Sequence, residues 1–131
     1  MADTKTSTHI SAIGTVMVAV SDQDRAIEFF REKLGFEKRT DIPYGNGDRW
    51  VDVAAPGAAT TIALTPPGPQ SEAGAWTGIA FTTGDIDAAR EDLSSRGVDV
   101  DDEVMRMGDP VPPMFWFRDP DANSYLIVEG S

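Results

Sequence analysis

The stretch IGTVMVAVSD at residues 13–22 returns about 63 residues later as WTGIAFTTGD at residues 76–85. A second stretch, RWVDVAAPG at residues 49–57, returns as PMFWFRDPD at residues 113–121. A repeat of this period indicates two copies of one supersecondary unit that share a core. The repeat decides the architecture, because each residue in one half can be compared with a counterpart in the other half.

The first copy begins with a strand that leads into a helix. Valines at alternate positions face one side of this predicted strand, and Thr15 and Met17 face the other side. Ser21 or Asp22 can cap a helix predicted over residues 24–34, because a short polar side chain accepts from the unpaired N–H groups of the first turn. Further strands are predicted over residues 36–42, 50–54 and 60–65, with a turn over 43–48 in which Asn46-Gly47 is a strong hairpin signal.

The second copy repeats this order. Asp85 is the predicted cap of a helix that ends near Arg96, and strands are predicted over 78–83, from 98, over 114–118 and over 124–128. The 131 residues suit a single domain in the α+β class, built from two tandem βαβββ modules. Module one covers about 10–66, a linker rich in proline and glycine covers about 67–75, and module two covers about 76–129.

Composition excludes several classes of function. The chain has no cysteine, so thiolate metal sites, disulfides and cysteine nucleophiles are excluded. The net charge of −11 argues against nucleic acid as a partner and is compatible with a cationic ligand, although acidity also serves solubility. The polar first residues and the lack of a long apolar run predict a cytoplasmic protein that does not bind a membrane.

Three motifs in order resemble the vicinal oxygen chelate superfamily, which includes glyoxalase I, extradiol dioxygenases, and fosfomycin- and bleomycin-resistance proteins. They are residues 13–22, FFREKLGF at residues 29–36 and FRDPDAN at residues 117–123. The resemblance covers about residues 13–129. It implies that the sheets of the two modules curl around a shared cavity, and that the protein is a homodimer.

The resemblance also implies where metal ligands would stand, and all four positions hold residues that do not ligate metal. They are Thr15 and Ala63 in module one and Gly78 and Leu126 in module two. The one histidine, His9, lies in the polar leader. Substitute ligands are few: Asp52, Glu129 and an acidic run over residues 99–103. We therefore predict no metal and no cofactor.

The same alternation predicts an apolar cavity lining of tryptophan, methionine and small residues. Such a lining suits flat ligands, although tryptophan and methionine on a strand are equally typical of a core. The two tryptophans of this lining are taken as equivalent positions of the repeat, and Arg118 is either a polar anchor or a partner of Asp119 or Asp121. The predicted ligand-binding residues are Thr15, Met17, Trp50, Asp52, Ala63, Gly78, Met114, Trp116 and Leu126.

Three functions follow as hypotheses. The first is a metal-independent binder that sequesters a bulky aromatic natural product or antibiotic, similar to bleomycin-resistance proteins. The alternative is a glyoxalase-like lyase or isomerase, or a dioxygenase-type enzyme, with Asp52 as the candidate catalytic base. The third is a regulatory or interaction subunit without a ligand of its own.

Overall fold

The computed structural model describes residues 8–45, 47–69 and 71–130. Within these residues both modules run strand, helix, strand, strand, strand, which confirms the α+β class and the tandem βαβββ modules. Module one contains β1 (Thr15–Ala19), α1 (Gln23–Glu28) with a π-helical continuation (Phe29–Lys33), β2 (Glu37–Gly45), β3 (Asp48–Ala54) and β4 (Thr61–Thr65). Module two contains β5 (Trp76–Thr83), α2 (Ile86–Ser95), β6 (Asp99–Val100), β7 (Met114–Arg118) and β8 (Ser124–Glu129).

The two sheets have the same topology. Their strand orders are β1-β4-β3-β2 and β5-β8-β7-β6. In each sheet the first strand of the module pairs in parallel with the last, and the remaining neighbours are antiparallel. The sheets do not close, so β1 and β5 each lie at the edge of a sheet.

Both helices begin at an aspartate. The Asp22 carboxylate accepts from the backbone N–H of Arg25 at 3.1 Å, so Asp22 rather than Ser21 is the cap of α1. The Asp85 carboxylate accepts from the N–H of Ala88 at 3.0 Å, as the sequence predicts. Each cap supplies an acceptor to the open first turn of its helix.

The first helix differs from the prediction of a uniform helix over residues 24–34. Its second half is π-helical over Phe29–Lys33, a wider turn that is rare and usually short. Phe29 and Phe30 are consecutive, yet both are buried. The wider turn accompanies the burial of two adjacent rings on one side of the helix.

Aromatic rings join the modules in one core. Rings of the π-helical continuation and of the segment that follows it contact rings on strands of module two, with centroids 5.5–6.4 Å apart. Contacts at these distances add to the burial of apolar surface. The pairs that cross between modules are Phe29–Phe117, Phe30–Tyr125 and Phe36–Phe81.

The turn between β7 and β8 is built around the carboxylate of Asp119. One oxygen accepts from the N–H groups of Asp121 at 2.9 Å and Asn123 at 3.0 Å. The other accepts from the Asn123 amide at 3.0 Å and the Tyr125 hydroxyl at 2.7 Å. Burial, together with the Asp119 charge, raises the pKa of Tyr125 above its usual range.

The β2–β3 hairpin is longer than predicted. The strand β2 continues through Pro43 to Gly45, where a turn was expected. It is an edge strand, where a proline is tolerated, and its register shifts between Pro43 and Gly45. Gly47 has φ of 81°, which glycine adopts readily, and Asn46 lies outside the described residues. None of the described helices has the length and apolar character to cross a membrane.

Candidate functional site

In module one, five of the predicted ligand-binding residues share one face of the sheet. Met17 pairs with Ala63 across β1 and β4, and Ala63 pairs with Asp52 across β4 and β3. Directly paired residues lie on the same side of a sheet, as do residues two apart on one strand. Thr15 and Trp50 therefore belong to this face as well, and we call these five residues the first face.

The first face is open at β1 and closed at its centre. Thr15 is exposed, and its hydroxyl lies 2.7 Å from that of Thr61. Met17 is 65% exposed, whereas Ala63 is fully buried and Trp50 is half-buried. The arrangement presents a flexible apolar side chain at the rim and a small residue at the floor.

Asp52 is the polar group of the first face, and its hydrogen bonding is incomplete. The residue is 7% exposed. Its Oδ2 accepts from the indole N–H of Trp50 at 3.4 Å, a long contact. Its Oδ1 is buried and, among the described residues, has no hydrogen-bond partner.

Arg49, the one basic residue of β3, binds carboxylates other than that of Asp52. Arg49 is bound by both oxygens of Asp41 at 2.9 Å and by Asp24 at 2.9 Å. The hydrogen bond from Arg49 lowers the pKa of Asp41 to about 2. Strand alternation places Arg49 on the opposite side of β3 from Asp52. The guanidinium of Arg49 therefore neutralises other carboxylates.

In module two, a matching row of side chains forms a second face. Ala80 pairs with Leu126 across β5 and β8, and Leu126 pairs with Trp116 across β8 and β7. Met114, two residues before Trp116, lies on the same side. We call Met114, Trp116 and Leu126, with the neighbouring Trp76, the second face.

The second face carries two tryptophans in contact. The rings of Trp76 and Trp116 lie 4.9 Å apart at 77°, an edge-to-face arrangement. Trp76 is 59% exposed, and Trp116 is half-buried. Sequence reasoning missed Trp76 as a candidate site residue. Its position at the start of β5, two residues before the predicted ligand position Gly78, was the available signal.

Arg118 does not pair with Asp119 or Asp121, so that prediction was wrong. Its guanidinium binds Asp101 at 2.7 Å and Asp99 at 3.5 Å. Asp101 also accepts from the backbone N–H of Trp116 at 3.1 Å. The antiparallel pairing of β6 with β7 brings the acidic run beside Arg118, whereas Asp119 is saturated within its own turn.

The strand registers also show that Trp50 and Trp116 are not equivalent positions of the repeat, so that prediction was wrong. Asp52 stands opposite Ala63, and Trp116 stands opposite Leu126, and both partners lie at the same place of the repeat. Asp52 is therefore the counterpart of Trp116. Trp50 is the counterpart of Met114, two residues earlier on each strand.

The remaining predicted residue, Gly78, lies apart from the second face. It has φ of 74°, and the pairing of β5 with β8 is irregular between Trp76 and Ala80. Gly78 lines a cleft of about 520 Å³ between the modules, together with Val16 and Ile62. Met17 lines another cleft of about 610 Å³ with Trp76 and residues of the linker. The structure thus groups the predicted residues on two faces and in two clefts.

The four family ligand positions do not fit a metal. Thr15 offers one hydroxyl that is shared with Thr61, and the side chains of Ala63, Gly78 and Leu126 carry no donor atom. Such sites need imidazole or carboxylate groups that converge. Within residues 8–45, 47–69 and 71–130 no three histidine, aspartate or glutamate side chains cluster suitably.

The substitute candidates have other surroundings. Glu129 accepts from the backbone N–H of Ile86 at 3.2 Å, which supports the start of α2. Asp99 and Asp101 bind Arg118, as described above. His9 lies exposed before β1.

Comparisons with known proteins agree with this architecture. The family model "Glyoxalase/Bleomycin resistance protein/Dioxygenase superfamily" matches residues 12–125. The uncharacterized protein YetH of Bacillus subtilis (strain 168) is 33% identical in an alignment of 126 positions that covers 92% of this chain and 99% of YetH.

Two crystal structures are similar over nearly their whole length. A member of the glyoxalase/bleomycin resistance protein/dioxygenase superfamily from Sphaerobacter thermophilus DSM 20745 has a TM-score of 0.85 and 36% identity, covering 92% of this chain and 98% of that protein. TnmS3, an antibiotic binding protein from Streptomyces sp. CB03234, has a TM-score of 0.82 and 34% identity, covering 95% of this chain and all (100%) of TnmS3.

Proposed function

Because this chain belongs to the Glyoxalase/Bleomycin resistance protein/Dioxygenase superfamily, we propose that it is a metal-independent protein that sequesters a bulky aromatic natural product or antibiotic. The observation that carries the proposal is the second face, where the exposed Trp76 contacts the half-buried Trp116. Aromatic rings of this kind stack on flat ligands. The similarity to TnmS3, an antibiotic binding protein, supports the same function.

Metal independence is part of the proposal. Thr15, Ala63, Gly78 and Leu126 supply no imidazole or carboxylate where the family's enzymes hold metal. Binding would then depend on buried apolar area, at about 25 cal/mol per Å² before ordering costs. The first and second faces together supply methionine and tryptophan side chains for this burial.

A homodimer is the proposed working form. Exposed apolar side chains lie at and before the edge strands β1 and β5: Ile13 is 73% exposed, Met17 65% and Trp76 59%. Apolar groups concentrated in this way are typical of an interface. A second copy of the chain that covers them would also enclose the ligand faces, and sedimentation equilibrium measures whether this dimer forms.

The test is a titration with daunorubicin, a flat aromatic antibiotic, followed by tryptophan fluorescence with and without EDTA. We expect saturable quenching that EDTA does not change. Trp116→Ala should weaken binding by roughly tenfold, since an aromatic contact is worth about 0.5–1.5 kcal/mol beyond its buried area. Met107→Ala is the matched control, because Met107 is exposed and lies outside both faces. Binding that requires a metal, or equal effects of the two variants, would contradict the proposal.

A second candidate function, a metal-free lyase or isomerase, is favoured by Asp52. A buried carboxylate with an oxygen that lacks a partner is a suitable general base. Mass spectrometry of the recovered ligand separates the two functions. A binder returns the compound unchanged, whereas an enzyme converts it in the wild type and not in Asp52→Asn.

A further inference from the structure

Asp52 is buried like a core residue, but its carboxylate lacks the hydrogen bonds that buried polar groups usually form. Its exposed fraction is 7%, and its Oδ1 has no partner among the described residues. Its Oδ2 has the Trp50 indole N–H at 3.4 Å, near the limit of a hydrogen bond. Buried acceptors without a partner are rare in native proteins, and each calls for an explanation.

No cation within the described residues compensates this carboxylate. The salt bridges in these parts of the chain involve other acids, and the arginine of the same strand, Arg49, binds Asp24 and Asp41. Burying a charge without a counter-charge or full hydrogen bonding costs free energy. The retained carboxylate is therefore suited to a partner from outside the chain.

The position of Asp52 in the repeat also indicates that its carboxylate serves a partner from outside the chain. Its counterpart in module two is Trp116, an apolar residue, so the sheet at this place does not require a carboxylate. The residues paired with Asp52 on its face are Ala63 of β4, which is small, and Thr40 of β2, and neither forms a hydrogen bond with Oδ1 of Asp52. These neighbours leave the carboxylate as the one charged group of the first face.

We propose that Asp52 binds a protonated amine carried by an aromatic ligand, an inference that rests on the proposed function and names the ligand's charge. An ammonium group donates charge-assisted hydrogen bonds, which are about twice as strong as neutral ones. The Trp50 indole beside Asp52 can also face the cation. The net charge of −11 favours the approach of such a ligand.

The experiment compares two anthracene compounds that differ in one group. 9-Anthracenemethylamine is a cation near pH 7, and 9-anthracenemethanol is its neutral analogue of nearly equal size. Fluorescence titration of the wild type should give at least a roughly tenfold preference for the amine. Asp52→Asn should abolish this preference, because it weakens binding of the amine far more than binding of the alcohol, whose hydroxyl forms only a weaker hydrogen bond with a carboxylate. An unchanged far-UV circular dichroism spectrum shows that the variant is folded.

The matched control is Asp102→Asn, which removes the same charge from an exposed position. It should keep the preference for the amine, because Asp102 lies outside the first face. Both variants lower the negative charge of the protein by the same amount, so a difference between them is due to the position of Asp52. An amine preference that is absent in the wild type, or that persists in Asp52→Asn, overturns this inference and leaves the proposed function intact. Failure of both anthracene compounds and of daunorubicin to bind overturns both proposals.

Discussion

Asp52 and Asp119 are two carboxylates with the same exposed fraction, 7%, and opposite surroundings. Asp119 accepts four hydrogen bonds at 2.7–3.0 Å in the turn of module two. Asp52, on the first face of module one, has one contact at 3.4 Å and an oxygen without a partner. A saturated carboxylate stabilises the fold, whereas an unsatisfied one opposes it. Burial alone therefore does not separate a structural acid from a candidate functional one.

The same isosteric substitution at both positions tests this comparison, and Asp119→Asn should have the larger effect. An amide offers one oxygen in place of two, so two of the four donors lose their acceptor and face an NH₂ group. We expect a loss of about 2–4 kcal/mol in the free energy of unfolding. Urea denaturation measures it. A loss below that of an ordinary surface substitution would mean that the turn is held by other contacts.

Removing one donor from the Asp119 network should have an intermediate effect. Tyr125→Phe deletes the hydroxyl that donates to Asp119, at a cost of about 1–2 kcal/mol near neutral pH.

The same variant should also change how the free energy of unfolding depends on pH in the alkaline range. The folded pKa of Tyr125 is raised above its ordinary 10.0, so the folded wild type keeps a proton that the unfolded chain loses. Its contribution to stability is complete below pH 10 and is lost as the pH rises above that value. Urea denaturation from about pH 8 to 11 should show a steeper loss for the wild type than for Tyr125→Phe. Parallel curves would show that the hydroxyl titrates normally.

Asp52→Asn should have the smallest effect on stability, in the opposite direction. The substitution removes a buried charge that has no counter-charge, so we expect the free energy of unfolding to stay the same or to rise by about 1 kcal/mol. Urea denaturation of Asp52→Asn and Asp119→Asn under the same conditions compares the two effects directly. A loss as large as that of Asp119→Asn would show that Asp52 has a structural role after all.

Much of the fold follows from local patterns in the sequence. The alternation of apolar and polar residues predicted the strands, and Asp85 predicted the start of a helix. Both patterns are readable in the sequence because they depend on residues that are close together in the chain. The π-helical turn at Phe29–Lys33 has no such signal, since it depends on packing two adjacent rings against module two. Pro43 suggested a turn, but β2 lies at the edge of its sheet and accommodates the proline in register with Arg49.

The candidate site is less predictable than the fold, because it depends on contacts between distant strands. The sequence predicts Asp52 on the first face, but it does not show that one oxygen lacks a partner. The partners of Arg118 became evident only from the pairing of β6 with β7. Whether the nine predicted residues bind a ligand stays a prediction for the titrations above.

The rings that cross between the modules would restrict how the proposed ligand enters. Phe29, Phe30 and Phe36 interlock with rings of the other module, and Asp121 binds Arg25 at 2.9 Å at the start of α1. A hinge between the halves would have to separate these contacts. We therefore expect entry and escape of the bound molecule to follow rotation of the tryptophan and methionine side chains, so that its residence time is set by rotamers rather than by domain opening.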